Sequence, residues 1–437
     1  MKALRMVIRR EWHRMTSRRL YLGVCVVLPL LCLFFMATIF GNGQMENIPV
    51  GIVDLDNTAT SRNISRRISA APTFRVTEHF TDEADARRAL QQKDIYGYLV
   101  IPPRFEQKAV TGTGATLTYY YHYALLSVGS ELMAAFENTL APVALSPIVM
   151  QAEALGVSGE QIQTFLLPVE ASTHPLYNPD MDYSIYLSQP FFFVLFQILI
   201  LLTTVYSIGS ELKFGSAGEW LEMARGNILT AVAGKLLPYT LIFSSIGILA
   251  NYVLFGPLHI PFAGSLWLMN AVTVLFIIAT QALAVFIYSV FPKIAYIISV
   301  VSMVGSLGAT LSGVTFPVTA MYAPVHAASY LFPVRHFTEA AQAMIYFDAG
   351  FAYFWQSVAT LFIFLLAALL ILPLLKWWIK KEIREEAISA SPSPCPPTAL
   401  SSATSGMPSP PIPPSCSCWQ AVSSSTDCST TTCTPPT

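Results

Sequence analysis

Residues 186–207 read YLSQPFFFVLFQILILLTTVYS, with no Asp, Glu, Lys or Arg. The run is near the ~20 residues that a helix needs to cross a bilayer. Four more uncharged runs follow, at 236–255, 266–291, 294–316 and 352–375. A soluble helix keeps a polar face, and these runs are apolar all round. Charges fall only between them: Glu211, Lys213, Glu219, Glu222, Arg225 and Lys235; Lys293; Arg335, Glu339 and Asp348; then Lys376, Lys380 and Lys381. The stretch 186–378 therefore reads as a bundle of membrane-spanning helices, and the rest of the chain is organised around it.

Composition agrees. The 437 residues are 54% hydrophobic and 12% charged, and the mean hydropathy is +0.53. The formal net charge of −1 carries little information about partners, because the charges are segregated along the chain. Nucleic acid is not an expected partner. Of the 7 cysteines, Cys25 and Cys32 lie in an apolar run and read as packing residues. No C-x-x-C pair occurs, so neither a metal nor a dithiol site is expected.

Residues 1–19 are basic, with Lys2, Arg5, Arg9, Arg10, Arg14, Arg18 and Arg19 against Glu11. Leu4, Ile8, Trp12 and Met15 recur at helical spacing, which predicts an amphipathic helix on a membrane face. The apolar run 20–40 is as long as a full span, and Ala37-Thr38-Ile39 is a poor cleavage site. The pair is read as an uncleaved first span whose N-terminus is cytoplasmic by the positive-inside rule.

Segment 41–185 alternates strand and helix signals. Val50–Asp54, a run from Phe74, Tyr96–Ile101 and Leu117–Tyr123 read as strands. Thr58–Ala70, a helix capped by Thr81 with Asp82, Glu83 and Asp85 in its first turn, and a helix marked by Val128, Leu132, Phe136 and Leu140 lie between or after them. This predicts a small α/β domain. Inserted between the first and second spans, it would lie outside the cytoplasm.

The charge distribution then sets a topology of about six spans with both ends inside. The loop 208–235 would be cytoplasmic, the connection 256–264 lacks Lys and Arg, and Lys376, Trp377, Trp378, Lys380 and Lys381 form an inner anchor. Among the outer connections between the later spans, Arg335 is the one basic residue left outside. Segment 317–351 is too broken by proline for a span and too apolar for a free loop, so re-entrant or interfacial helices are expected. Residues 387–437 are Ser/Thr/Pro/Cys-rich, with almost no charge and no periodicity, and read as a disordered tail. Translation in a shifted frame past the native end explains the abrupt change after Lys380-Lys381-Glu382-Ile383-Arg384 better than a native appendage does.

Signals for chemistry are few. No nucleotide-binding loop is present; Gly226…Gly234-Lys235 has the wrong spacing, and Leu236 follows where Ser or Thr is needed. No cofactor and no catalytic residue is expected. The spans lack the ionisable residues of ion-coupled carriers. Gln197, Asn270, Gln281 and Gln356 read as interhelical hydrogen-bond formers. Asp54 and Asp56 follow a strand, where turn formation and capping with Asn57 and Thr58 explain them. The histidines have no ligand spacing. The loop 211–235, ELKFGSAGEWLEMARGNILTAVAGK, is either an ordinary solvated loop or a docking surface in which an exposed Trp220 is the anchor.

In order along residues 1–385, four stretches resemble the permease subunit of type-2 ABC exporters, in the subfamily with a large extracytoplasmic domain after the first span. They are Ile48-Pro49-Val50-Gly51-Ile52-Val53-Asp54-Leu55-Asp56 followed by Ser61-Arg62, and Tyr96-Gly97-Tyr98-Leu99-Val100-Ile101-Pro102 with Phe105. The third is Glu211, Gly215 and Glu219 with Gly234-Lys235-Leu236-Leu237-Pro238-Tyr239. The fourth is Ser312-Gly313, Phe316-Pro317, Met321-Tyr322 and Pro333-Val334-Arg335. Ser216 and Arg225-Gly226 depart from the pattern, where Thr and a Thr-Pro or similar pair are common.

The resemblance implies a helical polytopic membrane protein with an inserted α/β domain, acting as the permease of an ATP-driven exporter in a bacterial inner membrane. It implies a cytoplasmic ABC ATPase as partner, a homodimer or a heterodimer with a second permease, contact with membrane lipids and, in some members, a periplasmic adaptor protein. Glu211, Gly215, Glu219, Trp220 and Lys235 would belong to the ATPase-coupling loop. Ser312, Gly313, Pro317, Pro333 and Arg335 would belong to the re-entrant segment. The competing class is a membrane-anchored sensor or scaffold that binds a ligand or partner with its outer domain. The topology is tested by single cysteines placed near Ser69 and near Gly218 in a Cys-free background. They should label from opposite sides of the membrane, and labelling of both from outside contradicts the six-span reading.

Overall fold

Backbone groups removed from water must pair within their own segment, and the apolar runs do so as helices. The computed structural model describes residues 2–39, 43, 45–111, 113–154, 178, 182, 184–346 and 350–390, with side chains outside 143–154 and 386–390. Residues 391–437, most of the expected tail, lie outside the described residues.

Helix α1 (Lys2–Ser17) precedes α2 (Arg19–Ile39), which contains a π-helical turn at Gly23–Val27. After the α/β domain come α7 (Ser184–Lys213), α8 (Ala217–Met223), α9 (Ile228–Phe255), α10 (Leu266–Val290) and α11 (Ile294–Thr310). Helices α12 (Ala323–Ser329), α13 (Pro333–Tyr346) and α14 (Phe351–Ala390) follow. Among the described residues, five helices are long and apolar enough to cross a membrane: α2, α7, α9, α10 and α14.

The remaining apolar run, 294–316, yields only the 17 residues of α11. That is about 26 Å of helix, at the lower limit for a span. It ends early because the Ser312 hydroxyl turns back to the Ala309 carbonyl at 2.7 Å and Gly313 takes a left-handed φ of 88°. The expected loop 208–235 is also different: α7 runs on to Lys213 and α9 starts at Ile228, so most of it is helix. Glu211 and Lys235 do not end the helices, because they find partners inside the protein.

The broken stretch after α11 forms a 3₁₀ turn at Val318–Ala320, then α12 and α13. Helix α13 is almost wholly buried, with Phe337 stacked on Phe276 of α10 and packed on Phe193 of α7. The Gln197 carbonyl oxygen accepts the Val334 N–H at 2.9 Å, so a polar residue within α7 satisfies the start of α13. Asn251 likewise donates to Asn270 and Thr273, and Thr240 donates to Gln281. These are the interhelical bonds expected of such residues.

The inserted domain has strands β1 (Ile48–Asp54), β2 (Phe74–Phe80), β3 (Gly97–Ile101) and β4 (Thr118–Tyr121). Helices α3 (Ala59–Ala70), α4 (Glu83–Gln92), α5 (Phe105–Thr111) and α6 (Leu126–Ala154) connect and follow them. The sheet order is β2-β1-β3-β4; β1 is parallel to β2 and β3, and β3 is antiparallel to β4. Strand alternation divides the core. Val50, Ile52, Leu99 and Ile101 face Ile64, Ile68 and Phe136, while Val53, Tyr98 and Val100 face Ala86 and Ala89. Helix α4 is capped at Asp82 rather than Thr81, with no side-chain bond to the cap.

Asp54 accepts the N–H groups of Asp56 and Asn57, both at 3.0 Å, and the Ser61 hydroxyl at 2.7 Å, which is the turn and cap role expected of it. Thr58 and Ser61 form a capping box at α3. Asp56 reaches across the sheet to accept the N–H groups of Phe105 at 2.8 Å and Glu106 at 3.1 Å, so it caps α5. Burial raises the Asp56 pKa, but the Thr58 hydroxyl and the Glu106 and Phe105 amides outweigh it and hold the value below the ordinary one. The cap is therefore intact at neutral pH and is lost as pH falls through that lowered value. Asp56→Ala should cost about 1 kcal/mol locally, which is roughly fivefold faster hydrogen exchange over residues 105–111 at neutral pH. Unchanged exchange there would show that Asp56 does not hold α5.

Candidate functional site

Three elements meet at the Lys213 end of α7: α1, the α7–α8 corner and the first turns of α9. Helix α1 presents Val7, Glu11 and Met15 to the interior, an i, i+4, i+8 face with a carboxylate at its centre. Close approach is possible because a Cβ at Gly234 of α9 would stand 3.0 Å from Val7. The expected lipid face of α1 is split accordingly: Met15 is buried and Trp12 is exposed.

Glu211 is fully buried and lies at the centre of this junction. It accepts both terminal nitrogens of Arg10, at 2.8 and 3.0 Å, a paired geometry that also fixes direction. It accepts Lys235 Nζ at 2.7 Å, Arg14 Nη1 and the Ser216 hydroxyl. Lys235, also fully buried, donates to Glu11 Oε2 at 2.6 Å, and the Tyr239 hydroxyl donates to Glu11 Oε1 at 2.7 Å. Burial lowers the Arg10 pKa, but its bonds to Glu211 outweigh that and raise it above the ordinary value. Two carboxylates thus face three cations, and Glu11, Glu211 and Lys235 among them are cut off from water.

Of the residues singled out in the sequence, Glu211 and Lys235 are bonded directly. Glu219 lies on the rim, 4.0 Å from Arg10 with its side chain 73% exposed. Gly215 supplies the left-handed φ of 64° that turns α7 into α8. Trp220 is a correction: it is 1% exposed, not a surface anchor. Its Nε1 donates to the Ala231 carbonyl at 3.2 Å, and Lys235 Nζ lies 5.4 Å over its ring. Helix α8 is short and amphipathic, and tryptophan is its largest apolar side chain, so it turns inward. The aromatic residue that faces out is Phe214, 54% exposed beside Arg18.

Ser312, Gly313, Pro317 and Arg335 line a different cavity, near Tyr186 at the opposite end of α7, and Pro333 starts α13. The sequence did not show that Arg10, Glu11, Arg14 and Tyr239 belong with Glu211. The available signal was Glu11 itself, an acidic residue in a basic helix.

The family model described as ABC-2 family transporter protein matches residues 19–373. A search of curated proteins finds no match.

Removing one partner from a buried ion pair leaves the other charge stranded. Lys235→Met should destabilise the purified protein by about 3–5 kcal/mol in detergent unfolding. Glu219→Gln, on the exposed rim, should change it by less than about 1 kcal/mol. Equal effects would show that burial of the network does not matter to stability.

Proposed function

The chain belongs to the ABC-2 family of transporter proteins, and it is a multi-pass membrane permease component of an ABC transporter; from that membership we propose that it is an export permease driven by a separate cytoplasmic ATPase. The observation that supports this is the continuity of α8 with the buried network. Ser216 precedes α8 and bonds Glu211, and Trp220 within α8 contacts Lys235. A push on α8 therefore reaches α1, α7 and α9 together through strong, short bonds. ATP-driven closure of an ATPase pair needs such a rigid receiver on the permease.

The docking face in this reading is the outward side of α8 and its flanks: Phe214, Glu219, Glu222 and Arg225, all exposed. The basic residues at both ends of the described chain, including Arg5, Arg9, Lys380 and Lys381, put that side in the cytoplasm by the positive-inside rule. The α/β domain then lies on the far side of a bacterial inner membrane, where a periplasmic adaptor could reach it. Two copies, or this chain and a second permease, complete the pathway among membrane lipids. Bond chemistry belongs to the ATPase, and the permease needs no cofactor of its own.

Truncating an aromatic anchor typically costs ~2 kcal/mol or more, roughly a 30-fold loss of affinity. Phe214→Ala combined with Glu219→Lys should weaken co-purification of the ATPase and remove substrate-stimulated hydrolysis in proteoliposomes, with expression unchanged. Wild-type values for both in the double mutant would rule out this face as the coupling site.

A further inference from the structure

Arg335 and Glu339 stand one helical turn apart on α13, a spacing that ordinarily closes an ion pair. They do not pair. Arg335 turns away to α12 and the turn that follows it: Nη1 donates to Ser329 Oγ at 2.7 Å, Nη2 lies 3.5 Å from His326 Nε2, and the guanidinium sits 3.8 Å over the Tyr330 ring. Its Nε is buried without a partner, and the residue is only 5% exposed. Arginine cannot shed its charge. None of the three partners is an acid, so none supplies the negative charge that a buried guanidinium ordinarily requires.

Glu339 has one carboxylate oxygen held by the Ser357 hydroxyl at 3.0 Å. Both residues line one cavity of about 390 Å³, whose other walls include Ser312, Thr315, Thr319 and Gln342. That volume suits a small polar group. Tyr186 also lines it, and its hydroxyl donates to the Val314 carbonyl. Tyr186 and Glu211 are 25 positions apart on α7, about 37 Å of helix, so this site is remote from the charged network.

We propose that this cavity binds a group carrying both an anion and an amine, a phosphate or carboxylate on Arg335 with a cationic nitrogen toward Glu339. A lipid headgroup and a soluble zwitterion share that chemistry. The site does not depend on the ATPase reading, because it concerns only what α13 and the turn before it recognise.

The test uses the full-length protein. Glycerophosphoethanolamine carries both charges and glycerol 3-phosphate only the anion, and each is titrated by thermal shift and calorimetry in detergent. Nanodiscs of phosphatidylethanolamine and of phosphatidylglycerol supply the lipid arm. The zwitterionic probe should bind more tightly than the anion, and Arg335→Gln should weaken both by roughly tenfold or more. Glu339→Gln should abolish the preference for the amine while leaving the anion bound. Protection by phosphatidylethanolamine nanodiscs without binding of the soluble probe identifies a lipid as the occupant. Binding of the soluble probe in either nanodisc identifies a soluble ligand. In each case the effect must weaken by roughly tenfold or more in Arg335→Gln. The proposal is overturned if neither headgroup source binds the wild type. It is also overturned if Arg335→Gln lowers the basal melting temperature but leaves the ligand shifts intact, because Arg335 is then a staple between α12 and α13. Glu339→Gln and Gln342→Ala leave the Ser329, His326 and Tyr330 contacts in place, and they test the site even if Arg335→Gln does not fold.

Discussion

A carboxylate removed from water must be matched by positive charge and by donors, or it does not stay ionised. Glu211 meets that requirement with Arg10, Arg14, Lys235 and Ser216. The partners come from three places: two from the N-terminal helix, one from α9 and one from the corner leading into α8. Satisfying a single buried group thus fixes the relative positions of four elements. Hydrophobic packing alone would not, because apolar faces slide at little cost, whereas a misplaced charge is penalised by several kcal/mol. Glu11 extends the arrangement through Lys235 and Tyr239, and this explains why a basic helix keeps an acidic residue on its inner face.

The network ties the α7–α8 corner to α1 and α9 by short bonds between charged groups, and the proposed transmission of a push on α8 rests on these bonds. Further along α7 the contacts are apolar and aromatic, with Phe192, Phe193 and Phe196 fully or almost fully buried. Single polar residues such as Gln197 fix the register of neighbouring helices there without a net charge. The two ends of the same helix therefore differ in kind. One is a closed ion cluster, and the other holds the unclosed Arg335 and Glu339 pair beside a cavity.

Much of this was readable from residues alone. Five of the six uncharged runs gave helices long enough to span, and the short apolar runs Val50 to Asp54 and Tyr96 to Ile101 gave strands of the inserted sheet, because both signals are local. The cap role of Asp54 followed from its position after a strand. What could not be read was non-local. Nothing in the spacing of Arg10, Glu11, Glu211 and Lys235 states that residues more than 190 positions apart share one site. The same limit misled the reading of Trp220: a tryptophan among charges looks exposed in a linear loop, and it is buried once α8 folds over α9. The loop itself was drawn too long, since paired charges no longer mark the end of a helix.

The most direct test of this account is a double-mutant cycle between Glu11→Gln and Lys235→Met, read as unfolding free energy of the purified protein in detergent. If α1 is held by the buried network, the two changes share one interaction and the cycle should return a coupling of about 2 kcal/mol. Additivity within about 0.5 kcal/mol would contradict it, and would mean that the buried Glu11–Lys235 pair does not hold α1.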